Sequence, residues 1–406
     1  MEVHRENRLL ERVRILDFTR VLSGPFCTRI LADLGAEIIK VESESGDSVR
    51  HHPPFREGFA SYFAQFNVGK KSIGVNLRSS RGIEVLKKLV PGCDAVVENF
   101  RPGVMEKMGL GYPALAAVNS RLIFCSISGF GQTGPEKTRL AYTDIIQAYS
   151  GLDYSAGQMI GPGAAPPGFP ISFGDSYASL NAAVAILAAL YSREFTGKGQ
   201  AIDISMLDCL FAANDSTIQK FIFSGGELDH PGVAFRPPLK MKDGQVAAAL
   251  FMNFEGVIRA MNRPDLLEDP RFRTMEERVK LENFQEYFRA VQQWAKGKTV
   301  EEASEIFAKY DIPYGKVNTV AEIVASPVVK ERNMLVEVEL KKDAAVKVVN
   351  TPFKFSTAPS GPRSRPPHLG EHNEEIFRDL LGLSREEILN LRKEGVLFER
   401  KPQEPG

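Results

Sequence analysis

The sequence predicts an α/β fold, a parallel-sheet large domain with a smaller α+β domain inserted into the chain. Two patterns predict it. In the first half, short apolar strand-like runs alternate with amphipathic stretches of helical period, separated by Gly or Gly-Pro. Around Phe221–Pro238 this order loosens into Gly, Pro and polar residues, and a shorter mixed pattern comes after it. Length and composition agree: 406 residues, 43% hydrophobic and 25% charged, are enough for a sizeable core and two domains.

Val13–Phe18 reads as the first strand, and Gly24-Pro25 breaks the chain after it. Phe26, Ile30, Leu31 and Leu34 then recur at helical spacing, Gly35 ends that helix, and Ala36–Glu42 is the second strand. A strand, helix and strand in this order form a right-handed crossover, hence a parallel sheet. Ile83, Leu86, Leu89 and Val90 mark the next helix, with strands after it at Asp94–Asn99 and Arg121–Ser128. Helix Ser176–Tyr191 and strand Gln200–Ser205 extend the series. The first βα turn has no GxGxxG, so the sheet is Rossmann-like without the dinucleotide fingerprint, which argues against a nicotinamide oxidoreductase. The smaller domain begins with Gln245–Met252, continues through helices at Asn283–Trp294 and Val300–Ala308, and includes a short connection or strand at Asp311–Val317. The tail holds strand-like Leu335–Leu340 and Ala345–Val349, a Pro-rich stretch at Pro359–Pro367, and helices at Asn373–Leu381 and Glu386–Lys393. The expected division is 1–210 with 330–406 for the large domain and 225–325 for the small one, with 211–224 and 326–329 as linkers.

Several function classes fall away on composition. Fifty-one basic side chains balance 51 acidic ones, so no overall field draws the protein to nucleic acid or a membrane surface. Cys27, Cys93, Cys125 and Cys209 lie far apart without a CxxC, and the six histidines form no HExxH; neither a disulfide framework nor a metal site is expected. Met1–Arg14 is charged, and no run approaches eighteen apolar residues, so the expectation is a cytoplasmic protein.

Chemistry enters at Gly174-Asp175-Ser176, where an irregular Pro/Gly-rich loop becomes an apolar helix. A carboxylate there faces backbone N–H groups, stays ionised at neutral pH and can act as a nucleophile. Position alone favours the plainer role of helix N-cap, for which Asp is a preferred residue.

The surrounding motifs decide between the two. Ile15-Leu16-Asp17-Phe18-Thr19-Arg20-Val21-Leu22-Ser23-Gly24-Pro25, Leu34–Glu42, Gly46-Asp47, Asn67–Asn76, Val97–Gly103, Ser126–Gly131, Thr196–Gln200 and Leu369–His372 occur in order along nearly the whole chain. Together they resemble the family III CoA-transferases, the CaiB/BaiF group. The resemblance implies that N- and C-terminal parts form one Rossmann-like domain around a smaller inserted one, with each chain a ring and two rings interlocked as a homodimer; a heterodimer with a related chain is the other arrangement. It implies Asp175 as the catalytic residue, coenzyme A as co-substrate and no tightly bound cofactor. By the same resemblance the CoA contacts are Val21, Ser23, Val75, Arg78, Asn99, Phe100, Lys107, Met108 and Arg139. Arg78, Lys107 and Arg139 would meet phosphates, and Phe100 and Met108 would flank the adenine. Tyr62 and Tyr142 match tyrosines lining the acyl site.

The chemistry fits a carboxylate independently. Exchanging CoA between two acids needs a group that forms an anhydride with the acyl donor and then a thioester with CoA, and a carboxylate does both and is regenerated. Leu22 stands where formyl-CoA transferase has a glutamine, and Phe221–Gly244 has no glycine run beyond Gly225-Gly226. Both departures argue against oxalate as acceptor and leave succinyl-CoA or a similar donor with a dicarboxylate-type acceptor, whose second carboxylate Arg236 would bind. Two alternatives stay open, an acyl-CoA racemase or epimerase of the same family and a CoA-binding subunit of a heteromeric transferase. Against the first, no histidine lies between His52 and His230, so the acid/base pair of that chemistry is missing.

Overall fold

The computed structural model describes residues 7–160, 164–214, 217–226 and 237–400. Two compact units emerge, one of Met1–Gly151, Phe169–Ala213 and Lys330–Gly406, the other of Leu152–Gly168 and Asn214–Val329. The segment 152–168, expected in the large domain, clusters instead with the second unit. The stretch 211–224, expected as a linker, is largely helical, carrying the end of Met206–Ala213 and then Ile218–Phe223.

In the first unit, strands β1 (Arg14–Asp17), β2 (Glu37–Glu42), β3 (Lys71–Val75), β4 (Ala95–Glu98), β5 (Ile123–Ser128), β6 (Gln200–Ser205) and β7 (Leu397–Phe398) form one sheet, ordered β7-β3-β2-β1-β4-β5-β6. All neighbours are parallel except β7, which runs antiparallel to β3. The order reverses between β1 and β4, and in open α/β sheets the crevice beyond the carboxyl ends at such a switch point is where ligands bind. Helices α1 (Ser23–Asp33), α2 (Ser61–Asn67), α3 (Ser80–Leu89), α4 (Thr143–Tyr149), α5 (Phe173–Thr196), α6 (Met206–Ala213), α7 (Asn373–Leu381) and α8 (Arg385–Lys393) accompany the sheet. Leu16, Ile39, Ile73, Val96 and Phe124 from five strands pack with Leu86 and Leu89 of α3 and Phe377 of α7 in the main core.

Two strands of this sheet escaped the sequence pattern. β3 opens with Lys71 and Ser72, which hide its apolar character; Lys71 pairs with Glu375, and the Ser72 hydroxyl donates to Glu42 at 2.7 Å. β7 has only two residues. The tail strands, Leu335–Lys341 and Ala344–Val349, leave the main sheet and form an antiparallel hairpin with Val338 and Val348 against Val68.

Under the sheet's carboxyl edge lies a buried ionic network. Asp17 and Lys70 meet at 3.0 Å and Lys40 and Asp47 at 3.1 Å, all four side chains fully buried. Burial alone would push the Asp17 carboxyl up, but Lys70 and Lys40 outweigh it and hold it down at about 2, while burial lowers Lys70 to about 8.

The second unit carries an antiparallel three-stranded sheet, Leu239–Lys240, Gln245–Ala248 and Tyr314–Lys316, with the middle segment at its centre. Helices Phe254–Met261, Leu281–Ala295 and Val300–Lys309 bury Val257, Tyr287, Val291 and Phe307 in its core. The Tyr287 hydroxyl donates to the Leu250 carbonyl at 2.9 Å.

Candidate active site

The crevice at the switch point is built by the segments that leave β1 and β4. After β1 the chain turns at Thr19–Leu22 into α1. The turn is tight: a Cβ on Gly24 would fall 2.2 Å from Thr19 Cβ, so only glycine fits. Asn99, directly after β4, clasps this turn: its Oδ1 accepts from Arg20 N–H at 2.9 Å, and its Nδ2 donates to the Arg20 carbonyl at 2.8 Å and to Ser23 Oγ at 3.2 Å. Val21 sits at φ 68°, the left-handed region that a β-branched residue avoids, at a cost of about 1–3 kcal/mol. Its N–H donates to both oxygens of the Asp47 carboxylate, at 3.1 and 3.2 Å.

Asp175 reaches the same place from α5. It lies in the first turn of that helix, whose N-cap position is Ser172, so the plain capping role does not apply. The helix's leading N–H groups are taken from outside: Phe173 N–H donates to Gln147 Oε1 at 2.9 Å and Gly174 N–H to Thr143 Oγ1 at 3.1 Å, both acceptors on α4. That leaves the Asp175 carboxylate to another helix. It stands against Ser23, the first residue of α1, whose N–H and hydroxyl favour its ionised form. Asn99 thus holds the Ser23 hydroxyl at 3.2 Å beside the Asp175 carboxylate. Ser179 Oγ, 2.7 Å from both the Ser23 and Asp175 carbonyl oxygens, ties the two helices together.

Burial pushes the Asp175 carboxyl up to about 6, a rise that the N–H and hydroxyl of Ser23 oppose and the neighbouring Asp144 reinforces. The group is still ionised at neutral pH, yet far more basic than the ordinary helix-start carboxylate anticipated from the sequence. Added basicity makes a carboxylate a better nucleophile once a substrate arrives. Tyr62 on α2 is close enough that Asp175 and Asp47, after burial, help raise its phenol to about 12, so it stays a neutral hydroxyl.

Val21, Ser23, Asn99, Tyr62 and Asp175 therefore gather at one crevice. Phe100 and Met108 lie together on the edge of the main core, and the Arg20 guanidinium stands 5.1 Å over the Phe100 ring. A half-buried aromatic face, a thioether and a cation suit an adenine and its phosphates. Arg78, after β3, and Lys107, ending the short helix Val104–Lys107, are exposed. The remaining expected contacts differ. Val75 is fully buried in β3, because its side chain fills the core under the sheet, so it can offer only backbone. Arg139 is held by Glu136 at 3.3 Å and stacks over Phe130 and Tyr149, not at Phe100. Tyr142 is 76% exposed, preceding α4. Arg236 lies outside the described residues. Among the described residues no group of three His, Cys, Asp or Glu is arranged to hold a metal ion.

The sequence reading missed four contributors. Arg20 and Asp47 lie within motifs it noted without assigning them a part. Thr143 and Gln147 could have been found from their i,i+4 spacing on a helix preceding Asp175. Comparison with known proteins then gives the geometry its chemical context. The family model described as CoA-transferase family III matches residues 10–373. Succinyl-CoA--D-citramalate CoA-transferase of Chloroflexus aurantiacus is 34% identical over 98% of this chain and all of its own length. Succinyl-CoA:glutarate CoA-transferase of Mus musculus is 34% identical over 96% of this chain and 90% of its own length. Among solved structures, a CAIB/BAIF family protein from Brucella suis superposes with a TM-score of 0.80 at 33% identity, covering 92% of this chain and all of that one. With this family model over residues 10–373 and relatives of this kind along nearly its whole length, the chain belongs to CoA-transferase family III and is a CoA-transferase.

Proposed function

We propose that this enzyme moves CoA from succinyl-CoA or a similar acyl-CoA to a dicarboxylate-type acid through covalent intermediates on Asp175. The observation that carries this reading is the Asp175 carboxylate itself, freed from capping its own helix and held by Ser23 at the start of another. Asp175 attacks the donor thioester, forming an aspartyl–acyl anhydride and releasing CoA thiolate. The thiolate attacks the aspartyl carbonyl, giving an enzyme–CoA thioester and the free donor acid. The acceptor carboxylate then attacks the thioester and the steps run in reverse, regenerating Asp175. The Gly24 N–H at the α1 start is suited to stabilise the tetrahedral oxyanions. The succinyl-CoA-dependent names of the relatives support the donor class. CoA itself would lie along Phe100 and Met108 with Arg78 and Lys107 near its phosphates, and Val21, Ser23 and Asn99 at the thiol end. The test is mass spectrometry after incubation with a panel of acyl-CoAs and hydroxylamine; absence of a CoA adduct or hydroxamate on the Asp175 peptide with every donor would refute the mechanism.

The acid limb of the pH profile is set by Asp175. A protonated carboxyl cannot attack, so kcat/KM for the acyl-CoA donor is expected to hold above about 6 and to fall as pH drops below it. A midpoint near the ordinary aspartate value would detach the limb from this residue.

We further propose that two copies of this chain associate, an interlocked homodimer being the form implied by the resemblance. α5 is 24 residues long and apolar enough in composition to cross a membrane, but it packs against α1 and the sheet. Its outer face stays bare: Tyr177, Leu180, Val184, Tyr191 and Phe195 fall on one stripe, with Val184 66% and Phe195 73% exposed. Such a stripe needs covering. Val184→Glu is expected to shift the protein toward monomer in light scattering; an unchanged monomeric mass for wild type would sink the idea.

A further inference from the structure

The catalytic reading leaves a buried group without a part. Asp47 is fully buried and meets the proposed CoA positions only through the backbone N–H of Val21. Its carboxylate does three things. It caps the short helical turn Ser48–His51 by accepting from Val49 N–H, it pairs with Lys40, and it accepts from Val21 N–H with both oxygens. Lys40 in turn donates to the Thr19 carbonyl at 2.7 Å. The pair thus grips the turn Thr19–Val21 at two points.

That grip has a conformational purpose. Val21 at φ 68° is an unfavourable residue in an unfavourable place, and left to itself it would relax toward extended backbone. Val21 is two residues before Ser23, so its φ sets the direction in which the Ser23 N–H and hydroxyl leave the turn. Those two donors stand against the Asp175 carboxylate, and Ser179 Oγ, 2.7 Å from both the Ser23 and Asp175 carbonyl oxygens, fixes the two residues side by side. Asn99 holds the opposite side of the same turn.

We propose that Asp47 is a positioning residue for the transferase reaction: its hydrogen bonds to Val21 N–H keep the turn left-handed so that Ser23 meets the Asp175 carboxylate. Asp47 acts through Val21 and Ser23 and takes no part in bond making. The inference rests on Asp175 being the nucleophile.

Three variants separate this role from that of a plain counter-ion to Lys40. Asp47→Ala removes acceptor and charge together. Asp47→Asn removes the charge but keeps an oxygen for Val21 N–H. Asp47→Ala with Val21→Gly removes the acceptor but supplies a residue that adopts positive φ without strain. Two readouts are taken: kcat with succinyl-CoA, and hydrogen exchange of the Ser23 amide in the resting enzyme. Asp47→Ala is expected to lower kcat about ten- to a hundredfold and to speed Ser23 exchange. Asp47→Asn is expected to keep most of both, and Val21→Gly to restore both in the Asp47→Ala background. If Asp47→Asn loses as much as Asp47→Ala and Val21→Gly restores nothing, Asp47 only neutralises Lys40 and the proposal is overturned. Should Asp47→Ala not fold, Lys40→Met/Asp47→Ala removes the stranded ammonium and carries the same comparison, with and without Val21→Gly. Ser23 exchange that responds as expected in a wild-type enzyme inert to every acyl-CoA would keep the clamp and reject the assigned reaction.

Discussion

Asp175→Ala is expected to lower kcat by about four orders of magnitude or more, since removing a covalent nucleophile removes the route itself and leaves only binding and oxyanion contacts. Fold and CoA affinity should change little, because Asp175 is only half buried and its own helix is started by Gln147 and Thr143 instead. Asp175→Glu is the sharper probe. It keeps the carboxylate but adds a methylene, displacing the oxygens from Ser23 by about 1 Å, and a misplacement of that size is expected to lower kcat about a hundredfold. Steady-state rates with succinyl-CoA and a dicarboxylate acceptor check both. An Asp175→Ala enzyme with a tenth of wild-type kcat would exclude the aspartyl anhydride.

The largest effect on stability is expected at Asp17. Asp17→Ala leaves Lys70 fully buried without its partner, and breaking a buried pair from one side costs about 3–5 kcal/mol. It also takes an acceptor from Thr19 N–H at 2.9 Å and from the Thr28 hydroxyl at 2.6 Å. The sign of the pH dependence is set by Lys70. Its ammonium is already lowered to about 8 by burial, and without Asp17 the folded form would shed the proton more readily still. The unfolded chain keeps the ordinary higher value, so the folded variant's cost of neutralising Lys70 shrinks as pH rises toward it. Denaturant unfolding at pH 7 and pH 9 should therefore show the deficit narrowing at the higher pH. A deficit below about 1 kcal/mol at pH 7 would mean that water reaches Lys70.

The ionic network and the turn Thr19–Ser23 are one construction. Asp17 pairs with Lys70 and Asp47 with Lys40, and Lys40 joins the network to the carbonyl of Thr19. The buried charge is thus placed where backbone must be held in a conformation it would not choose. Damage to the network is expected to reach Asp175 through the turn Thr19–Ser23, whose last residue stands against the Asp175 carboxylate.

Local pattern was enough for much of this molecule. Leu16 and Ile39 on strands, Ile30 and Leu31 on α1, and the breaks at Gly24-Pro25 and Gly35 determine the crossover, because period and punctuation act between near neighbours in the chain. The ordered motifs determined the family, and Asp175, where a loop becomes a helix, was singled out by them as the proposed nucleophile. Tertiary structure decided the rest. β3 is a strand because Glu42 and Glu375 on other elements satisfy its polar residues, and Val75 proved to be core because strands and helices from distant parts of the chain close over it. That Asp175 serves α1 rather than its own helix, and that its carboxyl rises to about 6, depends on Ser23, Thr143, Gln147 and burial among residues far apart in sequence. Desolvation and hydrogen bonding across such separations have no local signature, since they arise only when the folded chain removes water from the groups it brings together.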